Sequence, residues 1–169
     1  MKVLHSKRFV VLFLMIGVVL ISGLCCGLSW NEMRIRKTDI SDAQIVSPEE
    51  GAWVNMDEAS VQANAFGKNR LVVAGWAVIK GHTTKPVAIK IVLMNEETGE
   101  AYRLPTSIIA RPDVTAYFND GVNYDYSGFS VNTRCKGIDL INKKYSVLVL
   151  YELGDSKYLL ESNGISVGI

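Results

Sequence analysis

From Phe9 to Trp30 the chain reads FVVLFLMIGVVLISGLCCGLSW, 22 positions with no charged residue and only two serines as polar interruptions. As a helix rising about 1.5 Å per residue, such a run is long enough to cross the apolar core of a bilayer. A cleaved secretory signal would have a shorter apolar stretch, about 7–15 residues, and then a small-x-small cleavage site. A lipoprotein signal would place a small residue before the modified cysteine, whereas Leu24 precedes Cys25 and Cys25 precedes Cys26. A tail over residues 1–8 and an uncleaved single-pass anchor over residues 9–30 are therefore expected, with cleavage or lipidation of Cys25 or Cys26 as alternatives.

Orientation is read from the flanking positive charges, and these are nearly balanced: Lys2, Lys7, Arg8 and the terminal amine on one side, Arg34, Arg36 and Lys37 on the other. A long following domain translocates largely regardless of charge, so the soluble part is expected on the extracytoplasmic side of the cell membrane.

Net charge splits at the same place. Residues 1–37 carry six Lys and Arg against Glu32, and residues 38–169 carry 12 basic and 16 acidic residues, so a +5 segment precedes a domain of −4. The basic flank suits anionic lipid headgroups. The domain lacks the clustered Lys and Arg that neutralise phosphates, so no nucleic-acid partner is expected.

Only Cys135 lies beyond the apolar run, which excludes an intradomain disulfide framework and a cysteine-based zinc site. A domain of this length has to stand on one hydrophobic core. Residues 31–51 are polar and end in the loop-like SPEEG, and they read as a linker or stalk before a domain at 52–169.

From Ala59 onward short apolar or alternating runs are separated by turn residues. The strand candidates are SVQANAF, LVVAGWAVI, VAIKIVLM, EAYRL, GFSVNT, YSVLVLYEL, KYLLE and ISVGI. Turns are expected at Gly67 to Asn69, Asn95 to Gly99, and Gly154-Asp155. Seven or eight short strands without a sustained helical period predict a mainly β fold, an antiparallel β-sandwich, with a partly open barrel as runner-up.

Residues 106–126 break the strand rhythm. Pro112 sets its own φ and opens a short helical turn over Asp113 to Phe118, with Val114, Tyr117 and Phe118 expected inward. A loop of Asn119, Asp120, Gly121, Asn123 and Asp125 follows, and long ordered loops on rigid scaffolds often carry recognition. Candidate ligand or partner contacts are therefore Arg111, Asp113, Tyr117, Asn119, Asp120, Asn123, Tyr124, Asp125 and Tyr126. The tyrosines either offer faces to a sugar or a protein, or cover the end of the core.

GWA at Gly75 to Ala77, RPDV at Arg111 to Val114 and SGF at Ser127 to Phe129 occur in this order. Over about residues 71–160 the chain resembles a small β-sandwich accessory domain of bacterial membrane and cell-surface proteins, often found beside polysaccharide or teichoic-acid glycosyltransferases. The resemblance implies an envelope protein that assists surface-polymer handling, with no catalytic residue to carry over. Such modules are usually fused to an enzyme, whereas here an anchor precedes the module.

From physics alone the same motifs have structural uses. Trp76 is expected as a core aromatic beside Gly75, which permits close backbone approach, and Phe129 as a core anchor after Gly128. Arg111 and Asp113 are expected to tie the loop to the sheets by a bidentate ion pair and to cap the helical turn.

Catalytic readings find little support. The domain's histidine is His82 in the turn-like GHTTKP, so neither a paired-histidine metal site nor a triad has material beyond it. Glu96, Glu97 and Glu100 sit at an expected hairpin tip rather than in a cleft. Asn119, Asp120, Asn123 and Asp125 offer oxygens of the kind Ca²⁺ takes, but without EF-hand spacing, and no metal or other cofactor is expected. No phosphate-binding glycine loop occurs. Two non-enzymatic readings remain: a module that binds cell-surface glycan or a membrane glycosyltransferase, and an interaction subunit of a larger membrane complex. For the second, Gly17 and Gly23 permit close helix approach without making the four-residue small-xxx-small spacing.

Overall fold

The computed structural model describes residues 14–23, 34–62, 69–85, 87–135, 138–140 and 142–168, in two units, Met1–Arg34 and Ile35–Ile169. In the first unit residues 14–23 form a helix, α1, whose Leu14, Met15, Val18, Val19, Leu20 and Ile21 are all exposed. These positions are the middle of the expected span, while its flanks at 9–13 and 24–30 and the tail 1–8 lie outside the described residues. Among the described residues no helix is long and apolar enough to cross a membrane.

The second unit is built from strands β1 (Arg36–Thr38), β2 (Gln44–Val46), β3 (Ala52–Gln62), β4 (Arg70–Ile79), β5 (Ala88–Asn95), β6 (Ala101–Arg103), β7 (Ser107–Ile109), β8 (Gly128–Arg134), β9 (Tyr145–Leu153) and β10 (Ser156–Val167), with a helix α2 (Pro112–Phe118). They make a six-stranded sheet, β1-β6-β5-β9-β10-β2, and a four-stranded sheet, β3-β4-β8-β7. The expectation of a mainly β fold is met in these two sheets. It is corrected in one pairing, because β2 runs parallel to β10 at the edge of the larger sheet.

Period-two alternation explains how the two layers meet. Leu71, Val73, Ala77 and Ile79 of β4 share one buried cluster with Ile89, Ile91 and Leu93 of β5 and Val147, Val149 and Tyr151 of β9. Phe129 joins the same cluster, as expected of it. Each fully buried Leu, Ile or Phe contributes roughly 1.5–3 kcal/mol, and this burial takes the place of disulfides.

The opposite faces of β5 and β9 present Val92, Leu148 and Leu150, which with Leu159 form a second cluster covered by Ile40 and Ala43. The connection from β1 to β2 thus runs over the outer face of the large sheet, since its two strands pair at opposite edges. Within the stretch 31–51 expected as a linker, residues 36–46 therefore contribute two strands and a cover to this layer. The reason they escape a reading by pattern is length: RKT and QIV are three residues each and show no alternation.

Two other boundaries differ. β3 begins at Ala52, ahead of the expected SVQANAF, whose residues 63–66 lie outside the described residues. KYLLE and ISVGI are not separate strands but one, β10, with a register shift between Glu161 and Ser166.

Candidate functional site

The outer face of the small sheet carries the distinctive chemistry. Along β3 and β4 the pairing Met56↔Gly75 is followed by Glu58↔Ala74, so Asp57 is the extra residue of a β-bulge. The bulge turns its carboxylate away from the ladder, where Asn55 Nδ2 donates to Asp57 Oδ1 at 2.7 Å. Gly75 stands opposite because a Cβ there would lie 2.1 Å from the Asn55 carbonyl oxygen.

The other carboxylate comes from α2. Arg111 Nε and Nη2 donate to Asp113 at 2.8–3.1 Å, and Arg111 Nη1 donates to Asp57 Oδ2 at 2.9 Å. The guanidinium beside it holds the Asp113 carboxyl below the usual carboxylate range, and hydrogen bonding to Asp113 raises Arg111 in turn. The expected tie between loop and sheet is present as a single bond to Asp57, the bidentate pairing being with Asp113, and the expected capping is corrected: Arg111 is the N-cap residue of α2 and its side chain makes no cap hydrogen bond. Room for the arginine stem is made by Gly128, where a Cβ would lie 2.6 Å from both Arg111 Cγ and the Ile109 carbonyl oxygen.

Aromatic rings continue this patch. Phe118 lies edge-on to Trp53 at 5.7 Å, to Trp76 at 6.0 Å and to Tyr117 at 5.2 Å between centroids. Tyr117 is 69% exposed and Trp53 43%. The expectation that Tyr117 faces inward is thus corrected: on a seven-residue helix Val114 and Phe118 take the sheet side, leaving Tyr117 to solvent. Trp76 is corrected too. It belongs to the outer face, half-buried in a satellite cluster with Val78, Val114, Phe118, Val122 and Tyr124 rather than between the sheets.

Two rows of side chains result, bridged at both ends. Trp53, Asn55 and Asp57 follow one another along β3, and Asp113 and Tyr117 stand one turn apart on α2. Phe118 joins the rows at the aromatic end and Arg111 at the ionic end. Four strand residues span roughly 13 Å, and one helical turn about 5.4 Å. This surface suits a ligand with apolar faces and hydroxyl or amine edges.

The remaining sequence candidates build the loop rather than the patch. Tyr124 is fully buried; its Oη accepts from the Gly81 N–H and donates to Asp120 Oδ2, both at 2.8 Å. It offers no face to a ligand, and of the two alternatives for the tyrosines, covering the end of the core is what it does. Burial raises the Tyr124 hydroxyl above its ordinary value. Burial also pushes Asp120 up, but the hydrogen bonds from Tyr124 and the Val122 N–H outweigh it, leaving Asp120 below its ordinary value.

Asp125 Oδ1 accepts from Thr115 Oγ1 at 2.6 Å and Asp125 Oδ2 from Asn123 Nδ2 at 3.3 Å. Asn119 ends the helix in a left-handed conformation, φ 43°, its N–H on the Thr115 carbonyl. Tyr126, half in solvent, lies under Lys85 Nζ at 5.1 Å. Among the described residues no three His, Cys, Asp or Glu side chains converge as metal ligands would.

Trp53, Asn55, Asp57 and Phe118 are the patch residues absent from the sequence candidates. The alternation in AWVNMD, with Val54 and Met56 inward, is the signal that marks the first three as one exposed row. Comparison with protein-family models, curated proteins and solved structures finds no match to the chain in any of the three.

Proposed function

We propose that this chain is a membrane-anchored, non-catalytic binding module of a bacterial cell envelope that holds surface glycan on the patch between β3 and α2. The observation that carries this reading is the pair of exposed rings Trp53 and Tyr117, joined through the half-buried Phe118, beside the Asp57–Arg111–Asp113 ion pair. Ring faces stack on the apolar faces of pyranoses, and fixed carboxylates accept hydrogen bonds from hydroxyls. The anchor rests on the apolar run Phe9 to Trp30, and the envelope context on the resemblance carried by GWA, RPDV and SGF.

The test is a cell-wall glycan array probed with the full chain in lipid nanodiscs, beside Trp53→Ala and Tyr117→Ala variants. Binding by the native chain that falls at least about tenfold in both variants supports the reading, since base- or sugar-sized stacking partners are worth on the order of 1–3 kcal/mol each. A folded native chain that binds no glycan overturns it.

A second reading, an interaction subunit that binds a membrane glycosyltransferase or another complex, is favoured by Ile108 and Ile109, both exposed on the edge strand β7. A pull-down lost in an Ile108→Lys variant, with glycan binding absent, would decide for it.

A further inference from the structure

We infer that the patch selects amine-bearing sugars over their N-acetylated forms and disfavours phosphate-bearing polymers; this rests on the glycan reading above. The argument is charge complementarity. Asp57 and Asp113 make the ionic end of the patch, and the exposed Glu58, the residue after the bulge, extends it along β3. Against them stands Arg111, whose guanidinium already donates through Nε, Nη1 and Nη2 to Asp57 and Asp113. The trio keeps one net negative charge and Glu58 adds another.

A phosphate polymer would look for free cations or for unfilled N–H groups at a helix start. Here the first turn of α2 opens with Pro112, which has no N–H, and Asp113 occupies the position an anion would take. An ammonium group meets the reverse conditions. Asp113 and Tyr117 are one turn apart on the exposed side of α2, about 5–6 Å between Cβ atoms. A sugar ring stacked on Tyr117 therefore brings an equatorial amine within reach of the Asp113 carboxylate, while an N-acetyl group in its place is uncharged and bulkier.

Calorimetry with the full chain in nanodiscs tests this with three probes: glucosamine oligomers, N-acetylglucosamine oligomers of equal length, and poly(glycerol phosphate). The glucosamine oligomer is expected to bind roughly threefold to tenfold tighter than the acetylated one, the range of one or two exposed ion pairs. Raising salt to about 0.5 M should shrink that ratio. Asp113→Asn should lower it, and so should Glu58→Gln, which leaves both carboxylates on Arg111 in place. Equal affinity for the two oligomers, or tightest binding to poly(glycerol phosphate), overturns the charge selection and leaves the glycan reading standing. A folded chain that binds none of the three overturns both.

Discussion

Arg111 Nη1 meets Asp57 Oδ2 at 2.9 Å across 54 positions of chain, and each residue is placed there by a feature of the small sheet. Asp57 is aimed by the bulge in β3. Arg111 is placed by the glycine at 128, over which its stem lies. Replacing Arg111 with Ala should destabilise the domain by about 1–2 kcal/mol, the scale of a partly exposed, multiply hydrogen-bonded ion pair. Replacement with Lys should recover less than half of that loss, because an ammonium keeps the charge but not the fork that spans two carboxylates. Urea unfolding of the three proteins checks the order.

Glycines 75 and 128 should be among the least replaceable positions. Alanine at 75 would collide with the Asn55 backbone and alanine at 128 with the Ile109 backbone, so each should cost about 2 kcal/mol or more by thermal melting. Gly128→Ala should also disturb the Arg111 stem and so weaken ligand binding, whereas Gly75→Ala should act on stability first.

Tyr124→Phe removes one hydroxyl that serves two partners, the Gly81 N–H and Asp120. A loss of about 1–2 kcal/mol is expected with the fold intact. Tyr124→Ala should cost about 3–5 kcal/mol, because it also opens a cavity among Val78, Val114 and Phe118. Denaturation followed by near-ultraviolet circular dichroism separates the two.

On α2, Val114→Ala should cost about 2 kcal/mol and Tyr117→Ala less than about 0.5, since Val114 is buried and Tyr117 is 69% exposed. A Tyr117 variant that unfolds the domain would contradict the outward placement on which the proposed ligand surface depends.

Strong acid should loosen the ionic end of the patch. Arg111 lowers the Asp113 pKa, so this pair's contribution is complete above the ordinary carboxylate value near 4 and is lost as pH falls through the depressed folded value. Asp113→Asn should therefore flatten the fall in stability below about pH 4 relative to the native chain. Stability measured by denaturant titration across that range checks the sign.

How much of this was legible beforehand depends on how local its cause is. YSVLVLYEL and LVVAGWAVI carry enough alternating or continuous apolar character to name themselves as strands, and β9 and β4 follow them closely. The turn at Asn95 was readable for a similar reason, since its side chain accepts from the Glu97 and Thr98 N–H groups two and three residues on. RPDV announced a helical start, because proline fixes φ within its own residue.

Strands β1, β2 and β7 were not readable, because three residues hold no period and each exists through the partner it pairs with; β6 is as short, but the turn at Asn95 to Gly99 announces it. The candidate site divides in the same way. Arg111, Asp113 and Tyr117 share one short segment, and their proximity is set by chain connectivity. Trp53 and Asp57 lie more than fifty positions earlier, and only strand pairing and the bulge bring them to α2.

By itself, then, the sequence determined the β-rich class, the apolar N-terminal run and the helical turn after Arg111, all of which follow from periodicity and local dihedral restraint. The tertiary structure decided which side of each element is inside. Tyr124 and Tyr117 are chemically alike and seven positions apart, yet one is sealed under α2 and the other stands in solvent. The difference arises because the small sheet, with Trp76 and Val78 on its outer face, offers one apolar surface to a helix and loop that must divide it between them.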